Sequence, residues 1–174
     1  MTRAEVAPIR KILIMGCSGS GKSTLAKRLA DRLHIKAIHL DSHYWKPGWV
    51  ETPRDEWIGM QLEFLREDAW IIDGNYTATI EKRLQEADTV IYLDFPTLRC
   101  LYGIVKRRIQ YIGRTRPDMA EGCPEKIDWE FFQYVRTFNR RKAPALKERL
   151  LNAKGKNIFI FKTRKQVEEF LGTL

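Results

Sequence analysis

Cysteine is scarce in this 174-residue sequence, and the three that occur form no recognisable pair. Cys17, Cys100 and Cys123 are far apart and make no CxxC motif, so neither a disulfide framework nor a zinc or redox site is predicted. We interpret them as reduced thiols. The cytoplasm is the expected location, because no secretion signal accompanies them.

Long hydrophobic runs are also lacking. The run Ile12–Met15 is far shorter than a signal-peptide core or a membrane span, so no membrane partner is expected. The sequence has no internal repeat and no linker rich in proline or glycine. With 44% hydrophobic residues it can build a sizeable core, and we predict a single domain over residues 1–174.

Acidic residues are too few to balance the basic ones, since 31 Lys and Arg stand against 22 Asp and Glu for a net charge of +9. Much of the excess lies in residues 96–150, which hold 13 basic and 6 acidic residues. The electrostatic field of such a basic surface attracts anions, among them nucleotides, phosphorylated compounds and nucleic acid. Charge alone does not choose among these ligands.

Short apolar runs alternate with longer segments of helical period, which is the pattern of an α/β fold with a parallel sheet covered on both faces. The predicted strands are Lys11–Met15, Lys36–Leu40, Ala69–Ile72, Thr89–Leu93 and Asn157–Phe161. The predicted helices are one from Lys22 onward, Arg54–Glu67, Thr77–Glu86, Pro96–Ile112, one from Asp128 that Pro144 interrupts, and Arg164–Leu171. In the helix Pro96–Ile112, the expected buried stripe is Leu98, Leu101, Tyr102, Val105 and Ile109.

A complete phosphate-loop pattern, GxxxxGK[ST], lies between the first predicted strand and helix. Glycines let the backbone fold around phosphates with its N–H groups inward, and the helix N-terminus adds a favourable dipole. We predict that Lys22 contacts the β- and γ-phosphates of ATP and that the Ser23 hydroxyl coordinates Mg²⁺. The predicted ATP-binding residues are Gly16, Cys17, Ser18, Gly19, Ser20, Gly21, Lys22, Ser23 and Thr24.

Three predicted strands are followed by, or end in, an acid: Asp41, Asp73 and Asp94. The carboxyl ends of parallel strands form the ligand-binding edge of an open sheet. We assign Asp41 to orienting an acceptor hydroxyl and taking its proton, and Asp94 to the metal together with Ser23. The sequence leaves open which of the three acids serves magnesium, and caps of a turn or a helix remain alternatives for Asp41 and Asp94.

The residues around Asp41 allow two further hypotheses. His39, Asp41 and His43 alternate along the chain, which would suit a transition-metal site if all three faced one way, but His43 is expected in a loop. An aromatic and basic loop follows, and it either stacks on an acceptor ring and holds an anion or packs against the neighbouring helix. Its members are Tyr44, Trp45, Lys46 and Trp49.

Residues 112–127 contain two prolines and two glycines between basic helices, and we predict that they form a mobile lid. Arg108 and Arg114 are assigned as catalytic, because guanidinium groups stabilise charge on a transferring phosphoryl group. Arg107 and Arg116 are their expected neighbours, and Arg136 and Arg140 extend the cluster from the next helix. A solvated basic face is the alternative for each single arginine.

Four segments together resemble a known family: GCSGSGKST, HLD with its tryptophan-containing loop, WIIDGNY and VIYLDFP. In order and spacing they resemble the small P-loop kinases related to adenylate kinase and shikimate kinase, and more narrowly the DNA topology modulation protein group, over about residues 10–165. Only the phosphate loop is highly specific. The resemblance implies a P-loop three-layer α/β/α fold, a five-stranded sheet of order 2-3-1-4-5, an arginine-bearing lid and an acceptor site at the second and third strand ends.

The sequence departs from both relatives at the acceptor side. Adenylate kinases have Asp-Gly-Phe-Pro-Arg where this chain has Asp73-Gly74-Asn75-Tyr76-Thr77, so the arginine that would bind a nucleoside monophosphate is missing. Shikimate kinases have a glycine triplet that is also missing. The predicted function is therefore ATP- and Mg²⁺-dependent phosphoryl transfer to a small acceptor such as a nucleoside, nucleotide or alcohol. The alternative is an ATP-binding regulator that binds DNA without sequence specificity and modulates its topology.

Overall fold

The computed structural model describes residues 9–174. The strands in chain order are β1 (Lys11–Gly16), β2 (Ala37–His39), β3 (Trp45–Lys46), β4 (Val50–Glu51), β5 (Trp70–Asp73), β6 (Thr89–Leu93) and β7 (Asn157–Phe161). The helices are α1 (Lys22–Leu33), α2 (Leu40–Tyr44), α3 (Arg54–Leu65), α4 (Ile80–Glu86), α5 (Thr97–Gln110), α6 (Trp129–Arg141), α7 (Ala143–Asn152) and α8 (Arg164–Gly172), with a 3₁₀ turn at Thr77–Thr79 before α4.

Five parallel strands form the central sheet in the order β2-β5-β1-β6-β7. Counted along the chain without the small β3–β4 hairpin, this is the expected order 2-3-1-4-5. Helices cover both faces, so the α/β prediction is confirmed. The order reverses at β1, whose neighbours are β5 and β6, and a ligand crevice forms beyond the carboxyl ends of strands at such a reversal.

Hydrophobic burial holds the sheet in place. Strands β1, β5 and β6 are buried almost throughout, as expected for strands covered on both faces. Helix α1 contributes Leu25, Ala26 and Leu29 to the core. The predicted break near Pro144 is confirmed: α6 ends at Arg141 and α7 begins with Pro144 in its first turn, where the missing N–H costs nothing.

The buried stripe predicted for α5 is wrong. Its buried residues are Cys100 and Ile104, with Leu101 partly buried, whereas Leu98, Tyr102, Val105 and Ile109 are exposed. An apolar pattern at helical spacing identifies one face of a helix but not what covers that face. Here the core contacts the face that carries the smaller side chains.

The hairpin of β3 and β4 and the short helix α2 were not predicted. Strand β3 pairs with β4 in antiparallel register, and a turn containing Pro47 and Gly48 connects them. Gly48 has φ of 79°, a left-handed conformation that glycine adopts readily. Among residues 9–174, no helix combines the length and the apolar character needed to cross a bilayer.

Candidate active site

The phosphate loop joins β1 to α1, and its backbone is open to an anion. Gly16, Gly19 and Gly21 have φ values of 144°, 80° and 97°, which permit the tight turn. No side chain caps the N-terminus of α1, so its first N–H groups are available to phosphate oxygens. The Lys22 ammonium donates to the Cys17 carbonyl at 3.0 Å, which keeps the positive charge inside the loop.

Helix α5 supports this loop through backbone contact at Gly19 and Gly103. A Cβ added to Gly103 would lie 2.0 Å from the Gly19 carbonyl oxygen, and one added to Gly19 would lie 2.2 Å from the Cys100 carbonyl oxygen. Neither distance is tolerable for real atoms, so two glycines are required for the loop to rest on α5. No sequence motif indicated Gly103.

The Cys17 thiol is buried beneath the loop. A hydrogen bond with the Cys100 thiol and burial together raise the pKa of Cys17 well above its ordinary value. Its sulfur also lies 3.8 Å from the Val135 carbonyl oxygen. A thiol that stays protonated is a poor nucleophile, so the contacts favour the interpretation of Cys17 as a packing residue.

Asn75 fixes the start of the phosphate loop from the neighbouring strand end. The Gly16 N–H donates to Asn75 Oδ1 at 3.2 Å, and Asn75 Nδ2 donates to the Gly16 carbonyl at 2.9 Å. This reciprocal pair joins the phosphate side of the site to the end of β5. Sequence reasoning placed Asn75 at the edge without a role, and the only signal was its position in WIIDGNY.

A histidine–aspartate pair lies at the ends of β2 and β5. His39 Nδ1 is 2.8 Å from Asp73 Oδ1. Burial acts to lower the pKa of His39, but the hydrogen bond and the charge of Asp73 outweigh it and raise the pKa above 6.5. The pair assigns a structural partner to Asp73, which the sequence left as a candidate for the metal.

Asp41 lies in α2, exposed at the same edge, and accepts a hydrogen bond from the Tyr76 hydroxyl at 2.7 Å. Burial and the charge of Asp41 raise the pKa of Tyr76, so the phenol remains a donor. The ring of Tyr76 contacts those of Tyr44 and Trp57 at centroid distances of 4.8 and 5.0 Å. The aromatic loop therefore packs on helix α3 and also forms a wall beside Asp41.

The transition-metal hypothesis finds no support. The His43 ring packs against Phe64, with centroids 4.8 Å apart, and burial lowers its pKa. Nowhere in residues 9–174 do three His, Cys, Asp or Glu side chains cluster as ligands would.

Asp94 follows β6, where a carboxylate was expected. It forms an ion pair with Lys147 of α7, with Oδ2 and Nζ 2.8 Å apart. The helix-cap alternative is wrong, because Pro96 occupies the N-cap of α5 and no side chain caps that helix. Asp94 therefore lies at the edge formed by the carboxyl ends of the strands, and one of its carboxylate oxygens is already paired with Lys147.

The segment 112–127 contacts the β3–β4 hairpin. The Gly48 N–H donates to the Gly122 carbonyl at 3.0 Å, and Trp49 Nε1 donates to the Pro124 carbonyl at 3.2 Å. Cys123 is buried, with its sulfur 3.2 Å from the Lys46 carbonyl oxygen. The segment predicted as a lid is therefore attached to the β3–β4 hairpin in this structure.

A buried carboxylate, Glu125, organises two of the lid arginines. Arg107 Nε donates to Glu125 Oε1 at 2.7 Å, and Arg116 Nε lies 2.7 Å from Oε2. The second contact has an ion-pair distance without hydrogen-bond angles. Arg116 also donates to Asp118 at 2.9 Å. Two of the four expected arginines are thus neutralised locally, which no sequence pattern indicated.

The two arginines assigned as catalytic are less engaged. Arg114 is exposed, and Arg108 Nη1 is buried without a hydrogen-bond partner in the part of the chain that the structure describes. A buried guanidinium N–H without an acceptor is costly, and an anion would satisfy it. Arg136 donates to Gln133 on its own helix and, with Arg140, lines an open cleft of about 430 Å³ along α6.

No protein-family model matches the chain, and no curated protein is detectably similar to it in sequence. Among solved structures, a gluconokinase from Sinorhizobium meliloti 1021 is 14% identical, with a TM-score of 0.53, over 94% of this chain and 88% of that chain. A shikimate kinase from Bacteroides thetaiotaomicron is 18% identical, with a TM-score of 0.49, over 93% and 94%. The likeness to the gluconokinase, together with the parallel sheet covered by helices, shows the P-loop kinase fold.

Proposed function

We propose that this protein is a phosphotransferase that binds ATP and Mg²⁺ and transfers the γ-phosphoryl group to a hydroxyl of a small acceptor. The geometry of the phosphate loop is the observation that carries the proposal: three glycines with positive φ precede an uncapped helix N-terminus, and a lysine ammonium lies within the loop. This combination suits the phosphates of a nucleotide. The two kinases of similar fold agree with it.

The residues of the loop fit a nucleotide-bound magnesium ion. Ser20 Oγ is buried without a partner among the described residues, so the loop interior retains polar capacity that protein groups do not use. We propose that the Ser23 hydroxyl in the first turn of α1 and the Asp94 carboxylate would hold the ion. When bound, the ion offsets charge on the β- and γ-oxygens.

The chain's own residues supply positioning and charge. Gly16–Thr24 bind the phosphates through backbone N–H groups, and Lys22 moves from the Cys17 carbonyl to a phosphate oxygen. Arg108 is assigned to the transferring group because its buried Nη1 lacks an acceptor, and exposed Arg114 is assigned as its partner from the lid. We retain the proposal that 112–127 moves as a lid when phosphates arrive, within one domain spanning residues 1–174.

Asp41 is proposed to orient the acceptor hydroxyl and to take its proton. The Tyr76 hydroxyl occupies only Oδ1, which leaves Oδ2 for the acceptor. His39 is the competing base, because Asp73 orients its ring at the same edge. Histidine acts as a base only when it is neutral, and Asp73 raises the pKa of His39, so a base role for His39 requires a pH above that raised value.

The acceptor is proposed to be uncharged, such as a nucleoside or a sugar-like alcohol. The buried guanidinium of Arg83 donates to the Gly74 and Tyr76 carbonyls, and Arg116 is held by Asp118 and Glu125. Neither is free to bind an anionic handle. The partly exposed rings of Tyr44 and Tyr76 suit the apolar face of a ring instead, and buried Trp57 supports them from α3.

Ion pairs within the basic segment reduce the support that it gives to the DNA-binding alternative. Of the 13 basic residues in 96–150, five lie in ion pairs with acids, namely Arg107, Arg116, Lys126, Lys147 and Arg149. Paired charges contribute less to phosphate-backbone binding than free ones. A fixed role in DNA topology is therefore not part of the proposal.

Titration calorimetry with Mg·ATP tests the proposal. Native protein should bind, and Lys22→Ala should lower the affinity by roughly tenfold to a hundredfold, as expected for loss of a hydrogen bond to a charged group. Lys27→Ala, on the exposed side of the same helix, is the control and should bind as the native protein does. Equal binding by native protein and Lys22→Ala would contradict the assignment. Release of ADP in a panel of hydroxyl compounds then identifies the acceptor.

A further inference from the structure

An apolar stripe runs along the exposed side of α5 and just beyond its end. It consists of Leu98, Tyr102, Val105, Ile109 and Ile112, whose spacing of four, three, four and three residues keeps them in one line. Each is between 47% and 80% exposed. We call these five residues the α5 stripe. Isolated exposed apolar residues need no explanation, but four in line along one helix, with a fifth just beyond its end, form a continuous surface.

The flanks of the stripe are basic. Arg99 and Lys106 each follow a stripe residue and Arg108 precedes one, so each lies about 100° around the helix from a stripe residue. Residues 97–117 contain six basic residues and no acidic residue. Cys100 and Ile104 on the opposite side of α5 are buried against the core, so the stripe residues of this helix face outward.

A second copy of the chain is a poor match for this surface. A helix of this length offers a strip about 21 Å long and about 10 Å wide, well below the ~800 Å² that each partner contributes to a standard interface. Pairing two stripes would also place Arg99 and Lys106 of one copy near the same basic residues of the other. Like charges oppose such pairing.

A peptide partner would need a groove, and the described clefts lie elsewhere. One is lined by residues of α6 around Arg136 and Arg140, and the other by residues of α4 and α7 such as Glu81 and Glu148. A lipid surface needs no groove. It accepts a line of apolar side chains, and its anionic headgroups neutralise the basic flanks.

We propose that the α5 stripe docks the protein onto an anionic lipid bilayer, with α5 parallel to the membrane plane. The apolar side chains enter the headgroup and acyl boundary, and Arg99 and Lys106 contact lipid phosphates. This inference does not depend on the proposed phosphotransferase activity. The proposal differs from the sequence-based expectation of no membrane partner, because it describes a peripheral contact at the membrane surface.

Co-sedimentation with vesicles tests the docking surface on the full chain. Protein should sediment with vesicles of phosphatidylcholine mixed with phosphatidylglycerol and stay in solution with phosphatidylcholine alone. The double variant Tyr102→Ser and Ile109→Ser should bind the anionic vesicles at least about tenfold more weakly, because two large apolar groups are lost. Leu151→Ser removes an equally exposed apolar side chain from α7 and should bind as the native protein does.

Two further variants separate the stripe from general electrostatics. Lys106→Glu reverses a charge beside the stripe, and Lys154→Glu makes the same change in the exposed turn before β7. Only the first should weaken vesicle binding, by severalfold and more strongly at low salt. Lys22→Ala should bind vesicles normally, which excludes the phosphate loop as the lipid site. Thermal melting confirms that each variant is folded.

Four outcomes would overturn the proposal. They are no binding of native protein to anionic vesicles, native-like binding by the double stripe variant, equal weakening by Lys106→Glu and Lys154→Glu, and loss of binding in Lys22→Ala. Light scattering adds a fifth: a dimer that the stripe variant converts to a monomer would identify a second copy as the occupant. A monomer that ignores anionic vesicles would leave a protein partner as the occupant.

Discussion

The phosphate loop and the proposed acceptor side of this site differ in how they are built. The phosphate side is one contiguous loop and the start of one helix, residues 16–24, and its chemistry comes mostly from backbone groups. The acceptor side combines the ends of β2 and β5 with α2, and the segment 112–127 reaches it through the β3–β4 hairpin. A contiguous site is local in sequence, whereas an assembled site depends on contacts between distant residues.

The difference should appear most strongly in turnover. Asp41→Asn keeps the shape of the side chain and removes the charge that would accept the proton, so we expect turnover to fall by about 10² to 10⁴. Affinity for Mg·ATP should stay within a factor of about two, because Asp41 is not part of the phosphate loop. The measurements are steady-state ADP release with the identified acceptor and calorimetry of nucleotide binding.

The matched variant for Asp41→Asn is Asp31→Asn, an exposed acid in α1 that should leave both quantities unchanged. Retained turnover in Asp41→Asn would transfer the role of base to His39. If ATP affinity fell together with turnover, Asp41 would also affect nucleotide binding, and the two sides of the site would not be functionally separate.

The same contrast explains what the sequence could and could not predict. The five strands and the phosphate loop followed from local patterns, and the observed bounds differ from the predicted ones by at most one residue for the strands. The His39–Asp73 pair joins residues 34 positions apart, and Asn75 joins Gly16 across 59 positions. Such contacts depend on strand order and register, so no local pattern could specify them. The prediction of which α5 residues are buried was wrong for a related reason, because helical periodicity does not show which element covers a face.

Glu125 tests whether the lid belongs to the acceptor side. Glu125→Gln leaves buried Arg116 and partly buried Arg107 without their shared negative charge, and we expect the free energy of unfolding to fall by about 3 kcal/mol. Hydrogen exchange in 112–127 should become faster, while that of the phosphate loop should not change. Chemical denaturation and exchange measured by mass spectrometry check both statements.

Glu121→Gln is the control for this prediction, because Glu121 is an exposed carboxylate of the same segment. In native protein, a nonhydrolysable ATP analogue should slow exchange across 112–127. Equally slow exchange with and without the analogue would mean that this segment is a fixed part of the fold rather than a lid.

Gly103→Ala tests the support of the phosphate loop from α5. The added Cβ would lie 2.0 Å from the Gly19 carbonyl oxygen, so either the loop or the helix must shift. Overpacking of this kind costs about 2 kcal/mol, and ATP affinity should fall with stability because Gly19 is in the loop. Gly59→Ala is the matched control, since nothing lies within 4 Å of its added Cβ in α3. We expect that control to raise stability by about 0.5 to 1 kcal/mol.

The smallest expected effect concerns the pH dependence of the His39–Asp73 pair. The folded-state pKa of His39 is raised above 6.5, so its contribution to stability is fully present below pH 6.5 and is lost as the pH rises through the folded value. Asp73→Asn removes the negative charge that raises it. The variant should therefore be less stable than native protein at acidic pH, and the difference should shrink as the pH rises beyond neutrality.

Asp68→Asn, at an exposed turn before β5, should leave the native profile unchanged. NMR titration of the His39 imidazole gives the direct measurement, and an unchanged His39 pKa in Asp73→Asn would show that the acceptor edge does not hold this histidine charged.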